Sequence, residues 1–270
     1  MSRPSGKGGF TLLELAIVLA ILGVLTMLAT REIGQVQDQQ RFEASQRGLD
    51  TIREDVWGSP DDRAPDGSGV RAGFVADVGR LPDRLDELWT NTTGLGAFAV
   101  TKGVEDSEVR VSGGWRGPYV RLSWNATNLL DGWGNAYTSR LETGVWKVGH
   151  LGADGAEGGT NYDQEVFIDF KENEAKAWVW GQVEVNTNLL AGSNATVRVR
   201  VFHPDGTSEE ISGLSSACIS TNVISWTNSV PVPIGLRPVR AYLVGTDRKS
   251  AIRYVSLRSG TNGPVFLEIN

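Results

Sequence analysis

Few side chains in this chain are placed to do chemistry. Its 270 residues include two histidines, His150 and His203, and one cysteine, Cys218. That is little material for zinc or acid–base work, and it rules out an intrachain disulfide. No nucleophile elbow, phosphate loop, paired-cysteine zinc motif or HExxH occurs. Each histidine reads as a surface or turn residue, and Cys218 reads as a small buried hydrophobe. The chain is therefore expected not to be an enzyme. Three aromatic residues, Trp178, Trp180 and Trp226, could form a sugar-stacking platform; Trp178 and Trp180 share one strand face, where tryptophan is more often core. Asp154, Asp163 and Glu165 lie among glycines 155, 158 and 159. Carboxylates on a backbone free to turn can offer calcium its oxygens. On the residues alone, however, a plain Asp-Gly turn with its carboxylates in water ranks ahead.

The remaining chemical feature is Glu14, the only charge between Phe10 and Ala29. At a helical rise of about 1.5 Å per residue that run spans roughly 30 Å, one bilayer core. The spacing predicts a transmembrane helix, with Arg3 and Lys7 on the cytoplasmic side and the rest of the chain outside. An acidic group there costs about 2.5–3.5 kcal/mol on insertion scales and signals a function. No basic residue in the run can pair with it. The nearest candidate positive charge is an α-amino group at Phe10, exposed only if the residues before it are removed. Glu14 thus reads as an assembly residue.

The stretch from Gly9 to Ala29 resembles the N-terminus of a type IV prepilin or pseudopilin: a glycine, a phenylalanine, then a glutamate four residues later in an apolar run. The resemblance implies a 1–9 leader, cleavage after Gly9 by a prepilin peptidase, and methylation of Phe10. It also implies that Glu14 meets the N-terminus of a neighbouring subunit. Losing Arg3 and Lys7 with the leader would take the net charge from −6 to −8. Further on, Trp115-Arg116-Gly117-Pro118-Tyr119-Val120 and Asp131-Gly132-Trp133-Gly134-Asn135-Ala136-Tyr137 resemble motifs of the G-type major pseudopilin of type II secretion. Gly132 and Ala136 stand where that family usually has prolines, which suggests a less rigid turn. Trp133 and Tyr137 are expected to plug a helix–sheet interface. The 151–165 loop resembles the family's calcium loop. That implies one calcium ion with Leu151, Asp154, Asp163 and Glu165 as candidate ligands. The resemblance covers about residues 9–165.

The elements that must position these residues follow from periodicity. Residues 30–57 lack proline, and Ile33, Val36, Phe42, Leu49, Ile52 and Val56 recur mostly at spacings of three, four or seven, an amphipathic stripe. One helix is expected over 10–57, half in lipid and half on a globular head of residues 58–165. Asp83 could cap a short helix with Leu85 and Leu88 inward, and 90–112 reads as a long loop. Residues 166–170, 177–185, 196–202, 219–226, 239–244, 252–257 and 265–269 read as strands separated by turn signals. The predicted class is α+β: a long N-terminal helix on a small antiparallel sheet, followed by a β-sandwich-like domain over 166–270.

These readings lead to a pseudopilin-like subunit that polymerises into a periplasmic fibre for type II secretion. It would be a single-pass protein of the inner membrane with its globular part in the periplasm. Expected partners are prepilin peptidase, copies of itself and other pseudopilins, an inner-membrane assembly platform and membrane lipid. The acidic balance argues against nucleic acid. Alternatives are a minor type IV pilin serving adhesion or DNA uptake, and a membrane-tethered carbohydrate-binding protein.

Overall fold

In the computed structural model, residues 11–63, 70–186, 189, 196–215 and 223–270 are described. Helix α1, Leu12–Trp57, opens on a capping box at Thr11. The Thr11 hydroxyl accepts from the Glu14 N–H at 3.2 Å, and the Glu14 carboxylate accepts from the Thr11 N–H at 2.9 Å. Two donors that the helix start would strand are thereby satisfied. The helix ends at Gly58, whose φ of 86° is a conformation that favours glycine. Its inward stripe is Phe42, Ser45, Leu49, Ile52 and Val56, with the last four buried. Val36, expected in that stripe, is 55% exposed. The docked half therefore starts near Phe42.

The expected membrane span is overturned. Among the described residues, no helix is long and apolar enough to cross a membrane. The fold class is corrected accordingly, to an α+β chain with no membrane-crossing helix among the described residues. The expectation of single-pass inner-membrane anchoring, which rested on that span, falls with it.

After α1, strands β1 (Gly58–Arg63) and β2 (Val70–Ala72) pair antiparallel. A short helix, α2 (Phe74–Val78), buries Phe74, Val75, Ala76 and Asp77. A 3-10 turn, Leu85–Leu88, turns both leucines inward, with Arg84 rather than Asp83 at its start. Strands β3 (Ala99–Lys102) and β4 (Arg110–Gly113) form a hairpin where the sequence suggested a loop. All four β3 residues are exposed, so no apolar alternation marks it. Strands β5 (Thr138–Glu142), β6 (Val145–His150) and β7 (Val166–Lys171) make an antiparallel sheet in that order. Trp146 and Phe170 meet on it at 5.0 Å, and Trp57 reaches Phe170 at 5.7 Å. Residues 166–170, expected in the C-terminal domain, thus lie in the sheet beneath α1.

Eight strands follow: β8 (Lys176–Val185), β9 (Thr196–Phe202), β10 (Ser208–Ser215), β11 (Val223–Thr227), β12 (Val232–Pro233), β13 (Gly235–Leu243), β14 (Arg253–Leu257) and β15 (Gly260–Ile269). One sheet has the order β10-β9-β13-β14. In the other, β8 pairs antiparallel with β11 and β12 and, along its other edge, parallel with β15. Alternation along β8, β9 and β15 sends Val179, Val183, Val197, Val199, Val201, Val265 and Leu267 into one core.

The β3–β4 hairpin is docked on this C-terminal part. Val109 and Val111 bury against Phe202, and the Val104 N–H donates to the Gly206 carbonyl at 2.9 Å. Asp106, in the hairpin turn, receives Arg240 of β13 at 2.9 Å.

Candidate functional site

The N-terminal end of α1 is the most unusual surface. Leu12, Leu13, Leu15, Ile17, Val18, Leu19, Ile21, Leu22, Val24, Leu25 and Met27 are all exposed, from 45% at Val18 to 88% at Leu12. They fall on every side of the helix. An all-round apolar helix is stable only when something covers it. Glu14 sits at its tip, where its carboxylate accepts from the Thr11 N–H and, at 3.0 Å, from the Thr11 hydroxyl. Within one chain the acid is thus occupied by the cap. The leader, Gly9 and Phe10 lie outside the described residues.

The docked half of α1 is held by two loops. In the 131–137 turn, Asp131 Oδ1 accepts from the N–H groups of Trp133 and Asn135 at 2.9 and 2.8 Å. The Gly132 N–H donates to Ser45 Oγ at 2.9 Å, and the Tyr137 hydroxyl donates to the Ser45 carbonyl at 2.7 Å. A Cβ at Gly132 would lie 2.0 Å from the Arg41 carbonyl oxygen. Proline here would lose the donor and collide with the helix, so glycine permits closer docking than the expected motif would. Trp133 lies 6.2 Å from Phe42 and 5.7 Å from His150.

His150 is not a surface residue, as its sequence context suggested; it is fully buried. Its Nδ1 accepts from the Gly152 N–H at 3.3 Å, and its Nε2 meets Gln46 Nε2 at 3.2 Å. Burial pushes its pKa down, opposed by the charge of Asp131. His150 therefore fills the helix–loop interface as a neutral ring. His203 lies in the β9–β10 turn, its N–H donating to the Thr207 carbonyl. Cys218 lies outside the described residues.

The 151–165 loop is closed by its own backbone. The Ala153 N–H donates to the Tyr162 carbonyl at 2.8 Å. Glycines 152, 155, 158 and 159 all adopt positive φ. The Tyr162 hydroxyl donates to Gln39 Oε1 at 2.9 Å, tying the loop to α1. Asp154 accepts from the Ala156 N–H, and Glu165 from the Gly158 N–H. Asp163 ends the 3-10 turn Asn161–Asp163. Leu151 precedes the turn at Gly152. Among the described residues, no group of three His, Cys, Asp or Glu side chains is gathered to hold a metal.

The three tryptophans separate. Trp226 is buried in the core, whereas Trp178 and Trp180 point outward from β8 and are 41% and 40% exposed. The proposed three-residue platform does not form as such.

Sequence reasoning missed the buried charges. Asp77 of α2 accepts from Arg116 at 2.9 Å and from the Tyr119 hydroxyl at 3.2 Å. Burial pushes its carboxyl up to about 6, opposed chiefly by Arg116. Arg237 of β13 is 1% exposed and donates to the carbonyls of Ala76 at 2.7 Å, Pro233 at 3.1 Å and Ile234. Burial lowers its pKa to about 10, leaving it charged at neutral pH. Nothing local in the sequence marks these residues, because Asp77 meets Arg116 and Tyr119, and Arg237 meets Ala76, only in the fold.

Residues 4–30 match the prokaryotic N-terminal methylation motif. The type II secretion system core protein G of Xanthomonas campestris pv. campestris is 27% identical over 165 residues, 60% of this chain and 90% of that protein. No solved structure matches. The relative is named as a core component of a secretion system and not as an enzyme, which is consistent with a non-catalytic chain. Motif and relative together support assignment of the chain to the prepilin/pseudopilin superfamily.

Proposed function

We propose that this chain is a G-type-like pseudopilin, a structural subunit that polymerises through α1 into a fibre serving protein export by type II secretion. The carrying observation is the all-round apolar end of α1 with Glu14 at its tip. Copies of the same helix would cover one another's apolar surface. In a bundle of such helices Glu14 needs a cationic partner, because an unpaired buried charge is costly. The α-amino group of a mature Phe10 on a neighbouring copy would supply it. Prepilin peptidase, other pseudopilins and an assembly platform are the partners this reading requires. The matched methylation motif and the secretion-system relative support it.

The same reading gives the 151–165 loop one calcium ion, drawing on the Leu151 carbonyl and on Asp154, Asp163 and Glu165. The support is the resemblance, together with a neck that draws the two arms of the loop together at Ala153 and Tyr162.

Maturation is the step that can be tested first. The mature protein is expected to begin at Phe10 and to carry one methyl group on its amine. Intact mass of the protein from its native host reads this directly. A chain still beginning at Met1, or one cut beyond Ala29, would remove the amine that the reading assigns to Glu14.

A further inference from the structure

The outer face of the β11-β8-β15 sheet carries a second surface that assembly through α1 does not use. Along β8 the outward positions between Lys176 and Glu184 are Trp178, Trp180 and Gln182, none of them charged. Their inward neighbours Val179, Gly181 and Val183 are buried. On β15, Phe266 stands in register with Gln182 and is 59% exposed. On β11, the exposed Ser225 pairs with Gln182 from the other side. Two strand positions apart, the Cα atoms of Trp178 and Trp180 are about 7 Å from each other.

This face is held in place along its β15 edge. Gly263, at φ 135°, lies in the irregular stretch of β15 between Asn262 and Val265. A Cβ there would stand 2.4 Å from the Trp180 carbonyl and 3.1 Å from its indole, so the glycine lets β15 close directly on Trp180. The Asn262 amide donates to the carbonyls of Arg258 at 2.7 Å, Gly260 at 3.0 Å and Trp178 at 3.4 Å. The backbone that carries the aromatic pair is thus held on β15 before any ligand arrives, which lowers the ordering cost of binding.

We propose that Trp178, Trp180 and Phe266, with the Gln182 amide and Ser225 hydroxyl beside them, form a binding face for a neutral polysaccharide. Sugar rings present flat C–H faces that lie against the electron-rich faces of aromatic rings. Their hydroxyls need donors and acceptors without charge, which Gln182 and Ser225 supply. An anionic polymer is disfavoured, because Lys176 is paired to Glu172 at 2.6 Å and the exposed Glu184 and Glu268 stand in register at the other end of the face. A second copy of the chain is a poorer occupant. The three aromatics expose roughly 300 Å² in all, against about 800 Å² per partner in a standard protein interface.

Affinity electrophoresis of the full chain tests this, with the chain kept in solution by a detergent that carries no sugar. The gels contain hydroxyethyl cellulose as the neutral probe or dextran sulfate as the anionic one, and chitohexaose is titrated against tryptophan emission. Wild-type protein is expected to be retarded by the neutral polymer and not by the anionic one, and chitohexaose to change the emission. Trp178→Ala and Trp180→Ala should each weaken retardation at least tenfold, and Phe266→Ala severalfold. Trp124→Ala, which removes a 93% exposed tryptophan elsewhere, should leave it unchanged. No response of the wild type to either neutral probe would overturn the proposal. So would retardation by dextran sulfate alone, or retardation unchanged in both β8 variants.

Discussion

At the residue scale, Asp77 has the clearest consequence. Its carboxyl has an ordinary value of 3.8, raised by burial to about 6 in the fold. Between those values the folded chain holds a proton that the unfolded chain has released. Its contribution to stability is therefore full below about pH 4 and is lost as pH rises to about 6. At 1.36 kcal/mol per pKa unit the loss is on the order of 2–3 kcal/mol. Asp77→Asn removes this dependence. The stability of the variant minus that of the wild type, from urea unfolding, should rise by about that amount between pH 4 and pH 7. A difference that stays flat would show that Arg116, Tyr119 and Arg237 hold the carboxylate ionised throughout. Such charges were illegible in the sequence, since Asp77, Arg116 and Arg237 meet only after the chain has folded. His150 was misread for the same reason: its burial comes from Phe42 on α1 and from Trp133 and Tyr137 of the 131–137 turn.

At the scale of elements, α1 was legible and the β3–β4 hairpin was not. Leu49, Ile52 and Val56 repeat at helical spacing and lie buried where that spacing puts them. The hairpin shows no period because β3 is solvent-exposed along its length, while β4 takes its burial from Phe202, ninety residues later. The C-terminal strands were visible where valines alternate, as in β9. Strand β10 was missed because Ser208, Glu209 and Glu210 hide its pattern. The 151–165 loop carries the calcium proposal at this scale. If an ion binds, free calcium a hundredfold above its dissociation constant should add about 2.7 kcal/mol to stability. The unfolding midpoint should rise with calcium over that in chelator, and Asp163→Ala should abolish the difference. Equal midpoints with and without calcium would leave the loop closed by its backbone bonds alone.

At the scale of the whole molecule, the helix-bearing part and the C-terminal sheets are joined by buried charge. Arg240 donates to Asp106 at 2.9 Å, to Glu108 at 2.8 Å and to the Ser250 carbonyl at 2.8 Å; the Tyr242 hydroxyl adds a bond of 2.7 Å to Asp106. Removing one partner of such a pair leaves an uncompensated charge. Arg240→Met should cost on the order of 3–5 kcal/mol, and Asp106→Asn in the same chain should recover part of it. Equal stability of single and double variants in urea would mean that the pair does not couple the two parts. The assembly claim concerns the other end of the molecule and is tested by crosslinking from a photoreactive residue at position 21. Glu14→Gln keeps the capping box and removes the charge, whereas Thr11→Ala removes the cap and keeps the charge. The account predicts a ladder of crosslinked subunits in wild type and in Thr11→Ala, and its loss in Glu14→Gln. An undiminished ladder in Glu14→Gln would contradict it.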